Sequence, residues 1–208
     1  MPLIIRNLNA MKRVFLLITA SAFYLHTSSS HISLADSKRM EAVSLLLEQT
    51  KKQIREQMEE ERRMLEWERF LAHLAFSESA GNPDTINTLG YIGKYQFGRA
   101  ALRDIGFDVD FDEFRTNPSG AFPENVQDLA IEAWFERNER LLQKEIERYS
   151  GTIVNGTPVT KAGILAASHL GGVGGVRRFF RTGGAFNPSD AYGTSISKYM
   201  KKFSGFDI

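Results

Sequence analysis

The sequence predicts a mainly helical protein of the α+β class, a domain with a small β-hairpin wall preceded by a long helix. Three observations predict it. Residues 37–75 contain no Gly or Pro and abound in Glu, Gln, Lys, Arg, Met and Leu, which favour helix. Residues 123–149 and 161–170 carry apolar side chains at helical spacing, each between a Pro or Thr start and a Gly stop. β-Favouring residues gather in short runs broken by glycine, at 85–97 and 152–159.

At 208 residues the chain is long enough for one domain with its own core plus appendages. Residues 1–35 hold Arg6, Lys12 and Arg13 and no acid, then an apolar run from Val14 to Leu25, then the small-residue site Ser33-Leu34-Ala35. That is the pattern of a secretory signal peptide, complete even if translation begins at Met11. The apolar run is shorter than the about 20 residues of a transmembrane helix. An exported product, periplasmic or extracellular and without a stable membrane span, is expected, with retention of the segment as an anchor as the alternative. There is no cysteine, so an exported domain must be held by its core alone, with no disulfide and no lipid-bearing Cys. Removing the three signal cations from the 26 Lys and Arg leaves 23 against 25 Asp and Glu, and no nucleic-acid partner is expected of so balanced a chain.

Met40, Val43, Leu47, Ile54, Met58 and Leu65 fall near heptad spacing, with Lys51 and Glu61 interrupting the seam. Residues 36–60 therefore read as an amphipathic, coiled-coil-like helix. It either leads, solvated, into the domain over 61–208, or uses residues 37–60 to meet an envelope machine or a second copy. From Met64 the register shifts. Trp67, Leu71 and Leu74 continue a 3, 4, 3 ladder whose next step is Glu78, and Ala80-Gly81-Asn82-Pro83 stops the helix just beyond. A charge stands where a core residue is due. Partial desolvation and the negative end of the helix dipole both favour the protonated form of an acid so placed. A carboxylic acid that keeps its proton is what glycosidic cleavage requires.

Thr85 to Phe97, with Gly90 and Gly93, reads as an irregular hairpin in which Tyr95 and Gln96 offer a flat face and an amide to a ligand, or pack the hairpin itself. Arg99 to Ile105 is a short helix ended by Gly106. Asp108, Asp110 and Asp112 have the spacing of the first ligands of a calcium loop, but Glu113 stands where glycine is due and Ser119 where the closing acid is due. With no Cys, and only His73 and His169 beyond the signal, no metal site is expected. Phe107, Phe111 and Phe114 are expected to anchor this loop.

Pro123 opens a helix to about Tyr149, with Val126, Leu129, Ala130, Ala133, Trp134 and Leu141 on its core arc. Asn155-Gly156 marks a two-residue hairpin turn. Thr160 caps a buried helix over Lys161 to Leu170, followed by a tight bend at Gly171 to Gly175 and a last helix from Ser195 to Phe203. The glycine run lacks a preceding strand, and Arg177 occupies the third glycine position of a dinucleotide fingerprint.

Glu78-Ser79, the Gly-Asn-Pro turn and Gly93-Lys94-Tyr95-Gln96-Phe97 resemble the first two motifs of the SLT-like lytic transglycosylases of the lysozyme-like superfamily. Ala167-Ser168-His169-Leu170-Gly171 is in register with their third motif, with Ser168 and His169 in place of a Tyr-Asn pair. Thr194 and Tyr199 stand where the family carries a Thr and a Tyr in a closing helix. The resemblance spans roughly residues 61–205. It implies a lysozyme-like fold and cleavage of the MurNAc-GlcNAc β-1,4 bond of peptidoglycan to a 1,6-anhydro end, with Glu78 as the catalytic acid and then base. It further implies Ser79, Tyr95, Gln96, His169 and Tyr199 as substrate-binding residues, peptidoglycan glycan strands as the partner, and no cofactor. Two alternatives stay open: Asp84 as a second acid activating water, which would make the enzyme a hydrolysing muramidase, and a non-catalytic peptidoglycan-binding scaffold of an envelope machine.

Overall fold

A computed structural model of the protein describes residues 34–208, and the expected signal segment, apart from Leu34 and Ala35, lies outside the described residues. The described chain is mainly helical, with one two-stranded antiparallel sheet. Its contacts divide it between Glu61 and Arg62. Helix α1, Leu34–Ser79, runs through that division.

Up to Glu61 the helix is almost wholly exposed, Met40, Val43, Ile54 and Met58 included. Lys51 pairs with Glu48 (2.9 Å) and Lys52 with Glu56 (3.8 Å), one turn apart along the helix. Such exposed pairs each contribute only about 0.3–0.5 kcal/mol. No helix among the described residues is long and apolar enough to cross a membrane.

From Arg62 onward the helix faces a core. Phe70, Leu71, Leu74 and Ala75 are buried, and the Phe70 ring meets those of Trp67, Phe135, Phe203 and Phe206 at centroid distances of 5.4, 5.3, 5.5 and 5.8 Å. The helix ends through two left-handed residues, Ala80 (φ 55°) and Gly81 (φ 78°). Their amides bond the Phe76 and Ala75 carbonyls, both at 3.0 Å. Three short helices follow: α2 Arg99–Asp104, α3 Phe111–Phe114 and α4 Pro118–Ala121. Asp110 caps α3 by accepting from the amides of Asp112 (2.8 Å) and Glu113 (3.1 Å), which gives the acidic run a structural use, and Phe111 and Phe114 are buried beneath it.

Helix α5, Glu124–Tyr149, has the expected bounds, and of the expected face Ala130 and Trp134 are buried and Val126 packs against the core. Leu129 and Leu141 are exposed, and the buried ladder is Gln127, Ala130, Ile131, Trp134, Phe135, Asn138 and Leu142. Two amides lie in that stripe. An apolar-periodicity reading passes over them, yet each is buried because its hydrogen bonds are met: Asn138 Nδ2 donates to Ser168 Oγ at 3.1 Å, and Gln127 is fully engaged as described below. Strands β1, Ile153–Val154, and β2, Thr157–Pro158, pair across the predicted Asn155-Gly156 turn.

Helix α6 continues past the glycine run, Lys161–Arg181, with a single break at Gly172 (φ 66°, ψ 166°). The expected bend is a kink inside one helix. Closing helix α7, Ile196–Phe203, packs on α6 so closely that a β-carbon on Gly163 would lie 2.7 Å from the Met200 carbonyl oxygen. A second apolar cluster, including Leu142, Ile164, Val176, Phe179, Ile196 and Met200, seals this contact.

A candidate active site around Glu78

Glu78 lies in the last turn of α1, with no basic residue in that turn, and its side chain is 17 % exposed. From α7 the hydroxyl of Tyr199 donates a short hydrogen bond to Glu78 Oε1. Burial, and then the adjacent Glu78 carboxylate, hold the Tyr199 phenol far above the usual tyrosine range, so it stays a neutral donor. From α6, just before the kink, His169 Nε2 stands 3.9 Å from the same oxygen, its side chain 8 % exposed. Three helices thus converge on one carboxylate.

The opposite wall is the segment 85–97, an irregular hairpin as expected, joined by the bridges Ile86 to Ile92 and Ile92 to Phe97. Ser79 Oγ ties it to α1 by donating to the Lys94 carbonyl at 2.9 Å. Gln127 ties it to α5: its Oε1 accepts from the Lys94 amide (2.7 Å), while Nε2 donates to the carbonyls of Pro83 (2.9 Å) and Phe122 (2.8 Å). Position 93 must be glycine twice over, since φ is 77° and a β-carbon would come within 2.5 Å of Gln127 Oε1. Lys94 Nζ bonds Glu124 (2.9 Å) and Asp128 (2.7 Å). Burial opposes the lysine's charge, but these two acids outweigh it and raise its pKa.

Tyr95 is buried, and its hydroxyl donates to Asp128 at 2.9 Å. Burial first, then Asp128, keep that phenol protonated. The flat face expected to meet ligand is inside the wall, and the residue serves the site through its carbonyl, which contacts His169 Nε2 at 2.8 Å. A carbonyl only accepts, so His169 Nε2 carries a proton. Gln96 adopts a left-handed backbone (φ 52°), a strain of about 1 kcal/mol for a residue with a side chain. Its Nε2 faces the carbonyls of Gly93 (2.7 Å) and Thr85 (3.4 Å), which fixes the amide orientation and turns Oε1 the other way.

Beside this cluster is a cavity of about 650 Å³ whose walls include Gln96, Trp134, His169, Arg99, Arg115 and Tyr91. Glu78, Ser79, Tyr95 and Tyr199 are not among its lining residues. Among its lining residues, the side-chain atoms Gln96 Oε1, Trp134 Nε1 and His169 Nδ1 are buried and meet no hydrogen-bond partner within the protein. Asp84 is exposed on the turn after α1, its amide bonded to Asn82 Oδ1 (2.9 Å), and it shares no hydrogen bond or ion pair with Glu78 among the described residues. Thr194 sets the entry to α7, its amide donating to Asp190 Oδ1 at 2.8 Å. No group of three or more His, Asp and Glu able to hold a metal ion is found among the described residues.

Sequence reasoning missed Gln127 as the organiser of the wall and Trp134 as a lining residue of the cavity. The signal for Gln127 was its place in an otherwise apolar ladder. For Trp134 there was none, since a tryptophan in a core stripe reads as packing. No protein-family model, curated protein or solved structure matches this chain.

Proposed function

We propose that the protein is a peptidoglycan lytic transglycosylase whose residues 61–208 form a lysozyme-like domain and act on glycan strands outside the inner membrane. The observation that supports this is the convergence of Tyr199 and His169 on the one acid, Glu78, beside a cavity whose buried polar atoms lack partners. Buried polar groups are almost always paired, and partners for these atoms come from whatever fills the cavity, water or ligand.

With Oε1 taken by the Tyr199 hydroxyl, Oε2 is the oxygen that carries the proton. It goes to the glycosidic oxygen as the bond from that oxygen to the muramyl anomeric carbon breaks, the bonding electrons leaving with the oxygen. The substrate's own N-acetyl oxygen supports the electron-poor carbon. Glu78, now a carboxylate steadied by Tyr199, takes the proton of the muramyl 6-hydroxyl as that oxygen closes on the anomeric carbon. No water is consumed and a 1,6-anhydro end forms.

Mass analysis of muropeptides released from purified peptidoglycan tests the proposal. Anhydro products are expected, with release falling about 10²–10⁴-fold in Glu78→Gln at an unchanged melting temperature. Products carrying an added water would assign a muramidase. Glycan binding without release, in the native chain and the variant alike, would assign a scaffold.

A further inference from the structure

No residue of α1 between Leu34 and Glu61 is buried, yet this segment carries an apolar stripe. Met40, Val43, Leu47, Thr50, Ile54 and Gln57 recur at alternating steps of three and four and so lie along one face of the helix. Leu46 and Met58, each more than half exposed, border that face on opposite sides. The segment has no core of its own, and such a stripe is the seam on which a second helix packs.

The charges identify that second helix and its direction. Over residues 38–55 five cations, Lys38, Arg39, Lys51, Lys52 and Arg55, stand against two acids, Glu41 and Glu48. Residues 56–61 hold four acids, Glu56, Glu59, Glu60 and Glu61, and no cation. A parallel copy in register sets acid block against acid block, with Glu61, which keeps the spacing of the stripe, facing its twin. An antiparallel copy brings the acidic end to Lys38 and Arg39 instead. In that direction one register covers the whole stripe: Met40 faces Gln57 of the second copy, Val43 faces Ile54, and Leu47 faces Thr50. Each contact occurs twice, about a two-fold axis between Glu48 and Gln49. The same register places Arg39 and Glu60 beside each other on one flank of the seam, at both ends. Arg39 is open to such a partner, since its side chain is 83 % exposed and its contact with Asp36 is long, 4.0 Å.

We propose that residues 34–61 are a dimerisation helix, pairing antiparallel with the same segment of a second copy of this chain, with Val43 set on Ile54 and Arg39 on Glu60. The two chains then leave the pair at opposite ends, and one dimer presents two copies of the domain that begins at Arg62. The pairing does not depend on the catalytic reading.

Sedimentation of the full chain over a concentration series tests it, and a reversible monomer–dimer equilibrium is expected. Leu47→Glu with Ile54→Glu should raise the dissociation constant at least about 100-fold. Neither position belongs to a core, so the melting temperature of the domain should not move. Arg39→Glu and Glu60→Arg should each weaken the dimer about tenfold. Together they restore opposite charges across the seam in the antiparallel pair alone, and should recover most of the affinity. Direction is read separately. The chain has no cysteine, so a spin label on Ser37→Cys reports one distance per dimer. That distance is about 35 Å in the antiparallel pair, from a rise of about 1.5 Å per residue, and under about 25 Å in a parallel one. A chain that stays monomeric to about 1 mM, whether or not this segment binds lipid vesicles or another protein, overturns the proposal. So does a dimer indifferent to the two glutamates, a double charge reversal no better than either single one, or a label distance of the parallel kind. Anhydro products from a monomeric chain remove only this proposal, and a dimer that releases nothing removes only the catalytic one.

Discussion

Glu78 keeps its place through Tyr199, a side chain from another helix whose hydroxyl bonds no other side chain among the described residues. Tyr199→Phe leaves the ring in its packed position and removes one hydrogen bond to a carboxylate, an interaction of about 1.5–3 kcal/mol. On the proposed function, muropeptide release should fall about 10–100-fold while the fold persists, and wild-type release from this variant would show that Glu78 works without it. A second residue-scale effect lies on the neighbouring face of α1. Burial, and then nearby Lys202, hold the His73 imidazole below its ordinary value near 6.5, with its ring against Phe203 at 5.1 Å. As pH falls through that value the unfolded chain takes up a proton before the folded one does, so stability declines on acidification and is untouched above it. Thermal unfolding followed from pH about 7.5 to about 5 should show a drop in midpoint that His73→Phe reduces. An unchanged drop in the variant would assign it to other groups.

The elements show how far the residues could be read without coordinates. The bounds of α5, the Asn155-Gly156 turn and the irregular wall at 85–97 are legible because each is set locally, by a proline start, a turn dipeptide or glycine placement. The face of α5 is legible in part: Ala130 and Trp134 are buried as their spacing predicts, but Gln127 and Asn138 are buried by virtue of distant partners, Pro83, Lys94 and Ser168, that no window of sequence contains. For the same reason the inward turn of Tyr95 is not legible, since it depends on Asp128, 33 residues along. Gln127→Ala strips partners from the Lys94 amide and the Pro83 and Phe122 carbonyls at once. At about 1–3 kcal/mol for each buried group left unmet, part of it relieved by water, a loss of about 2–4 kcal/mol in urea unfolding is expected. Loss of less than about 0.5 kcal/mol, the range of an ordinary surface change, would show that the wall is held by its acids and not by this amide.

On the scale of the molecule, the aromatic centre that fixes α1 against α5 and α7 lies wholly beyond Glu61. A chain starting at Arg62 should therefore fold, with a melting temperature within a few degrees of the longer protein and the same release of muropeptides. Failure of that piece to fold would assign residues 34–61 a structural part that their exposure does not suggest. Within the piece, Phe70→Ala empties the point where four other rings meet and should cost about 3–5 kcal/mol.

The bond between Glu78 and Tyr199 joins positions 121 residues apart, and the His169 bond to the Tyr95 carbonyl spans 74. Contacts closed over such distances carry a large loop entropy and form late in folding. The acid thus gains its supports only when nearly every helix has docked, and partly collapsed chains, however helical, remain without a working centre. In a refolding time course, catalytic competence should return with the slowest phase, after the ellipticity of the helices has already recovered.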